Sequence, residues 1–227
     1  MKIAILPVAQ KFTPEKRIRT YPAYAKDYGV EQDFLIWLKK HPEYLTEDFS
    51  RADWHYLPIF WTRWYVNHNY GKEGAEEIQS ECDRVVRDDR KTFTICQYAG
   101  GVKQDVGDML QFQGSPLEPT DLLAPLLCTH PNLPIIKPRK KLTASFVGRL
   151  RTHPIRSELR DSLSDKPNIF FYDGDDKNIK YYTRMMLKSY ISLCPRGFGI
   201  SSFRLYESLF LGIVPLIIGD FDSRLFR

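Results

Sequence analysis

The residues best equipped for chemistry lie near the C-terminal end, in Pro195-Arg196-Gly197-Phe198-Gly199 and the helix-type run that follows. Arg196 offers a planar fork that matches phosphate oxygens. Gly197 and Gly199 let backbone N–H groups approach a ligand closely. Ser201 or Ser202 can cap a helix, whose N-terminus adds about half an elementary positive charge. On that helix Ser201, Arg204 and Glu207 recur every three residues and share one face. Arg204 can reach a phosphate, and Glu207 can accept hydrogen bonds from ribose hydroxyls. This is the chemistry for holding a phosphate.

The elements around these residues are legible. Ile191–Cys194 is a short apolar run of strand type. A helix runs to about Leu211, Gly212 closes it, and Val214–Ile218 is a second apolar run. Two apolar strands joined by a helix form a βαβ unit in a parallel sheet buried on both faces. Ligands bind such sheets at the carboxyl edge, where the strand-to-helix turn sits. Gly148-Arg149 ends another strand, Thr143–Val147, and places a second Gly-Arg turn on that edge, with Arg151 and Arg156 close by. Pro154–Ser164 reads as a helix, Asn168–Tyr172 as a strand and Asp176–Ser189 as a helix. The order βαβαβαβ predicts a doubly wound parallel sheet.

The first part of the chain reads as another α/β layer. Lys2–Val8 is a strand, Lys11–Gly29 a long polar loop and Gln32–Leu45 a helix. Asp53–Trp61 reads as a strand weakened by Pro58. Glu73–Arg90 is an amphipathic helix and Lys91–Tyr98 a strand; Met109–Phe112 and Leu122–Leu127 are shorter strands. His130–Lys141 contains three prolines and ends in a basic cluster, as an interdomain linker does. The predicted division is 1–135 and 136–227.

Charge supports the division. The net charge is +5, yet residues 1–140 hold 19 Lys+Arg against 19 Asp+Glu, and residues 141–227 hold 14 against 9. The excess sits with the phosphate-type turn, and it suits a small anionic ligand better than nucleic acid, which calls for a larger basic stripe. No run reaches the ~18–20 apolar residues of a membrane span. The start, MKIAILPVAQKF, reads as a first strand and not a signal peptide. Cys82, Cys96, Cys128 and Cys194 form no CxxC pair and read as reduced thiols.

Walker, GxGxxG, HExxH and GxSxG motifs are missing, and no His/Cys group has zinc spacing. Asp173-Gly174-Asp175-Asp176 is the nearest approach to a metal-binding DxD, and it reads as a polar turn. The expectation is a site that needs neither metal nor cofactor.

The stretch PRGFGISSFRLYESLFLGIVPLII resembles the C-terminal signature of the exostosin family of inverting glycosyltransferases. Pro195, Arg196, Gly197, Gly199, Ser202, Arg204, Glu207, Ser208, Leu209, Gly212, Val214 and Pro215 match that pattern at fixed spacing. Thr46–Phe60, Phe93–Gly101, Asp121–Pro125 and Phe146–Arg149 followed by Arg156 are similar to further family segments. The resemblance implies a GT-B-like α/β fold, two Rossmann-like domains with a cleft between them. It implies transfer of a sugar from a nucleotide-sugar, usually UDP-linked, to a glycan or glycoprotein hydroxyl. Arg196 and Arg204 would hold the diphosphate and Glu207 the ribose, with Arg149, Gly197, Gly199, Ser201 and Ser202 completing the donor site. Family members continue past the last strand, so a C-terminal domain cut short is expected at Arg227. Animal members carry a membrane anchor, so a cytoplasmic, bacterial or viral-type form is expected.

An inverting transfer needs a base to take the acceptor's proton, supplied across the cleft by the first domain. Glu31, His55, Asp105 and Asp108 are the candidates, and the acids Glu31, Asp105 and Asp108 are preferred. Tyr21, Tyr24, Trp61, Trp64 and Tyr65 can stack on a sugar or fill the core. Two other readings remain open: a non-catalytic module binding a nucleotide or glycan, and a sugar-phosphate enzyme.

Overall fold

The computed structural model describes residues 1–15, 29–116, 122–126, 134, 136–174 and 179–219. It is an α/β structure with two four-stranded sheets, all of whose pairings are parallel.

The first sheet has β1 (Ile3–Ile5), β2 (Trp54–Tyr56), β3 (Thr92–Cys96) and β4 (Leu110–Gln113) in sequential order. Strand alternation sends β3 side chains to two cores. Phe93 and Ile95 join Leu35 and Leu38 of α1 (Val30–Lys39). Cys96 joins Ile78, Cys82 and Val85 of α3 (Ala75–Val85). Both faces are therefore covered, as parallel sheets require, and each fully buried aliphatic side chain contributes about 1.5–3 kcal/mol.

Two expectations fail in this half. Asp53–Trp61 is not one strand: β2 ends at Tyr56, and Trp61–Asn67 is a helix, α2. Pro58 cannot donate to a ladder, and six of the seven α2 residues are buried. A short helix buried on nearly all sides, polar Thr62 and Arg63 included, shows no amphipathic period to read. Trp61, Trp64 and Tyr65 are accordingly core residues rather than a sugar platform; Tyr21 and Tyr24 lie outside the described residues. Leu122–Leu127 supplies, among its described residues, one isolated bridge from Leu123 to Gln113 rather than a strand.

The second sheet has β5 (Leu142–Gly148), β6 (Ile169–Asp173), β7 (Ser189–Pro195) and β8 (Val214–Ile218) in the order β6-β5-β7-β8. Helices α4 (Pro154–Leu163), α5 (Ile179–Leu187) and α6 (Phe203–Leu211) connect them. Phe146 and Leu193 pack toward α4, while Met186, Leu187, Leu211 and Ile213 form a core on the other face. The chain moves from β5 outward to β6, then crosses back to β7. That reversal is the topological switch point, where doubly wound sheets open a crevice for ligand.

Candidate functional site

A cleft of about 690 Å³ lies over this switch point. One wall comes from the ends of β5 and β7 and the start of α6: Gly148, Arg149, Gly197, Gly199, Ser201 and Arg204 among others. The facing wall comes from the carboxyl edge of the first sheet: Gln97 and Tyr98 after β3, and Ser115 after β4. Both sheets thus turn their carboxyl ends to one space.

Local rules explain how α6 presents its residues. Ser202 is the N-cap, in extended conformation, and its hydroxyl accepts the Arg204 N–H at 3.4 Å. Gly212 closes the helix in the left-handed conformation, φ 66°. Because Ser202 takes the cap, the Ser201 hydroxyl is left buried without a hydrogen-bond partner in the cleft wall.

Arg204 is 7% exposed. Its guanidinium lies over the Phe146 ring, 4.4 Å from the centroid, and Nη2 donates to the Val147 carbonyl. Nε has no partner. Gly148 is glycine for a steric reason, since a Cβ there would overlap the Arg204 guanidinium. Glu207, one turn further along α6, accepts a hydrogen bond from the Tyr182 hydroxyl of α5. Burial, and the adjacent Glu207 charge, push the Tyr182 phenol well above its ordinary pKa, so it stays a donor.

Arg156 of α4 is the brace of the site. Nε donates to the Arg196 carbonyl at 2.8 Å, Nη1 to the Arg149 carbonyl at 2.8 Å and Nη2 to the Pro195 carbonyl at 3.3 Å. One guanidinium therefore ties the turn after β5 to the turn after β7. Gly197 leaves room for it: a Cβ would lie 3.0 Å from Arg156 Nη2. At Gly199 a Cβ would run into the Ser115 backbone, and the Ile200 N–H donates to the Pro116 carbonyl at 2.9 Å. The phosphate-type turn is thus pressed against the loop after β4. Among the described lining residues the charged ones are three arginines, 149, 156 and 204, and the carboxylate of Glu207. A predominantly positive wall beside a helix N-terminus is suited to a diphosphate.

Of the residues singled out from sequence, Arg149, Gly197, Gly199, Ser201, Ser202, Arg204 and Glu207 all line the cleft. Arg196 does not. Its side chain runs beside Gly219 at the end of β8, and its backbone carbonyl holds Arg156.

The three preferred bases separate. Asp105 lines a different hollow with Gln79, Cys82 and Asp89. Asp108 pairs with Arg90 at 3.0 Å. Topology explains both positions. β3 and β4 are parallel, so the connecting chain must return to the amino edge, and these acids lie just before β4 begins. They face away from the carboxyl edge. Glu31, in the first turn of α1, is 1% exposed. Its carboxylate accepts the Gln97 N–H at 2.8 Å, the Thr62 N–H at 3.1 Å and the Thr62 hydroxyl at 2.7 Å. Burial pushes its pKa up to about 7, against these hydrogen bonds and the Arg63 charge, which lower it. Glu31 lies one layer behind Gln97 and does not line the cleft.

Sequence reasoning missed Tyr182 and Gln97. Gln97 lies at the carboxyl end of the strand read over Lys91–Tyr98, so the carboxyl-edge rule, applied to the first sheet, points to it. Tyr182 carried no signal, because its partner lies 25 residues away on another helix.

With this geometry in place, comparison with known families is informative. Residues 117–221 match the model of the Exostosin GT47 domain. That match supports a glycosyltransferase of the exostosin family. The exostosin GT47 match contains all of β5 to β8 and the whole positive wall, while the facing wall at Gln97 and Tyr98 lies before it. No curated protein sequence matches the chain. Among the described residues, no group of three or more His, Cys, Asp or Glu is placed to hold a metal, and no helix is long and apolar enough to cross a membrane.

Proposed function

We propose that the chain is an inverting glycosyltransferase that moves a sugar from a UDP-linked donor to a glycan hydroxyl without a metal ion. The observation that carries this reading is the positive wall at the switch point of the second sheet, faced by Gln97, Tyr98 and Ser115 across the cleft. In such a transfer the acceptor oxygen attacks the anomeric carbon as the bond to the diphosphate breaks. The negative charge that develops on the leaving group must be met by fixed positive charge. Arg204, Arg149 and the N-terminus of α6 supply it in this reading, and Arg156 holds the two turns in place. Glu207, fixed by Tyr182, accepts from the ribose hydroxyls. The residues up to about 135 form the acceptor-side domain. The free, buried thiols of Cys82, Cys96 and Cys194 support a reducing, cytoplasmic setting.

A second reading has its own support. Glu207 is the one carboxylate among the described lining residues, and Tyr182 holds it. A cleft whose described lining residues offer no second carboxylate also suits a non-catalytic module that binds a nucleotide or glycan. Turnover separates the two. UDP- and GDP-sugars are offered with a mixture of glycan acceptors, with and without EDTA, and nucleoside diphosphate release is followed. Release that needs acceptor and survives EDTA is expected. Nucleotide binding without release supports the binding module, and loss of release in EDTA overturns the metal-free mechanism.

A further inference from the structure

The facing wall of the cleft has a role that phosphate binding does not supply. Gln97 lines the cleft and is 1% exposed. Its side-chain oxygen accepts the Val30 N–H at 3.2 Å, and its backbone N–H is held by Glu31 at 2.8 Å. The Val30 contact fixes which end of the amide is oxygen, so the NH2 group is the other end. That nitrogen is buried and has no hydrogen-bond partner. A buried donor left unpaired is costly and calls for an explanation in a native structure. Gln97 is also well placed. Its side chain packs beside Gly114, and the adjoining Ser115 is the residue against which Gly199 of the phosphate-type turn is pressed. The amide therefore stands near that turn but opposite the arginines. A neutral donor there suits a neutral oxygen, not a phosphate.

We propose that Gln97 is a specificity-determining residue whose Nε2 donates a hydrogen bond to an oxygen of the sugar carried by the nucleotide. This rests on the nucleotide-sugar reading above. Sites built to hydrogen-bond a substrate oxygen reject analogues that lack it, because the site's own polar group is then stranded. Glu31 and Val30 act as positioning groups that hold the amide.

The test compares calorimetric affinities for UDP, UDP-glucose, UDP-galactose, UDP-N-acetylglucosamine and UDP-glucuronate. It uses the wild-type chain, Gln97→Leu and Gln97→Glu. The Glu variant keeps an acceptor for Val30 and removes the donor, so it serves if the Leu variant does not fold by circular dichroism. The wild-type chain is expected to prefer one sugar over UDP alone. Both variants should lose that preference by roughly tenfold while UDP affinity stays within about twofold. An intact sugar preference, no preference in the wild-type chain, or a parallel fall in UDP affinity overturns the role of Gln97. Failure of the wild-type chain to bind any of these nucleotides sinks the UDP-sugar reading itself, and the role of Gln97 with it.

Discussion

The Tyr182 hydroxyl of α5 donates to the Glu207 carboxylate of α6 inside the cleft wall. The phenol helps to hold this carboxylate in one orientation. Tyr182→Phe removes one oxygen and leaves Glu207, on the cleft wall, without that anchor. UDP affinity is expected to fall roughly fivefold, with a stability loss of about 1–2 kcal/mol. Glu207→Ala should weaken UDP by tenfold or more, on the order of 1.4 kcal/mol. The double variant should bind no worse than Glu207→Ala alone. Additive losses by calorimetry would mean that Tyr182 acts independently of Glu207.

Gly148 is where two strands and a side chain meet. A Cβ at this position collides with Arg204, whose guanidinium also contacts the Val147 carbonyl and the Phe146 ring. Gly148→Ala is expected to cost about 1–3 kcal/mol in urea unfolding and to weaken UDP because Arg204 is displaced. Wild-type stability and affinity in this variant would show that Arg204 has free room.

Both sheets were largely readable from sequence; the stretch around Trp61 was not, for a physical reason. Around Gly197–Glu207 the local signals agree: an apolar strand, a glycine turn, a serine cap, a closing Gly212. The helix and the last strand fall close to where those signals put them. Around Trp61 they do not agree, because total burial erases the period that marks a helix. The site divides the same way. Arg204 and Glu207 share a helical face and can be found by spacing. Arg196 sits two residues from Phe198 in the same turn, yet its side chain follows β8, and spacing cannot say which way an arginine leaves a strand end. Asp105 and Asp108 were misplaced because their edge of the sheet depends on β4 being parallel to β3, a long-range fact.

Glu31 gives the protein a pH-dependent stability. Its carboxyl titrates near 7 in the fold against 4.5 in the open chain. The folded state therefore binds more protons between these values, and stability must fall as pH rises from about 4.5 to about 7. A gap of this size corresponds to something on the order of 3 kcal/mol. Thr62, Gln97 and Arg63 surround the carboxyl, and its replacement removes the titration. Urea unfolding at pH 5 and pH 8 should show the drop in the wild-type chain and a much flatter profile in Glu31→Gln. Equal slopes in the two proteins would assign the dependence elsewhere.

Arg196 and Arg204 are the sharpest pair for testing the cleft, because sequence spacing makes them equivalent and the structure does not. Arg204 lines the cleft over Phe146, while Arg196 lies beside Gly219 and lends only its carbonyl to Arg156. Arg204→Ala removes a cleft charge and is expected to weaken UDP by tenfold or more, about 1.4 kcal/mol. Arg196→Ala keeps the backbone carbonyl, so UDP affinity should change by less than about threefold. Salt adds a second readout. Removing a charge that faces the ligand flattens the dependence of affinity on ionic strength, whereas removing one that does not leaves it steep. Calorimetry at 50 and 300 mM salt, between which the Debye length falls from roughly 14 to roughly 6 Å, reads both at once. An Arg196→Ala loss equal to that of Arg204→Ala, with an equally flattened salt response, would place the Arg196 guanidinium on the diphosphate and require its side chain to swing from β8 into the cleft when ligand binds.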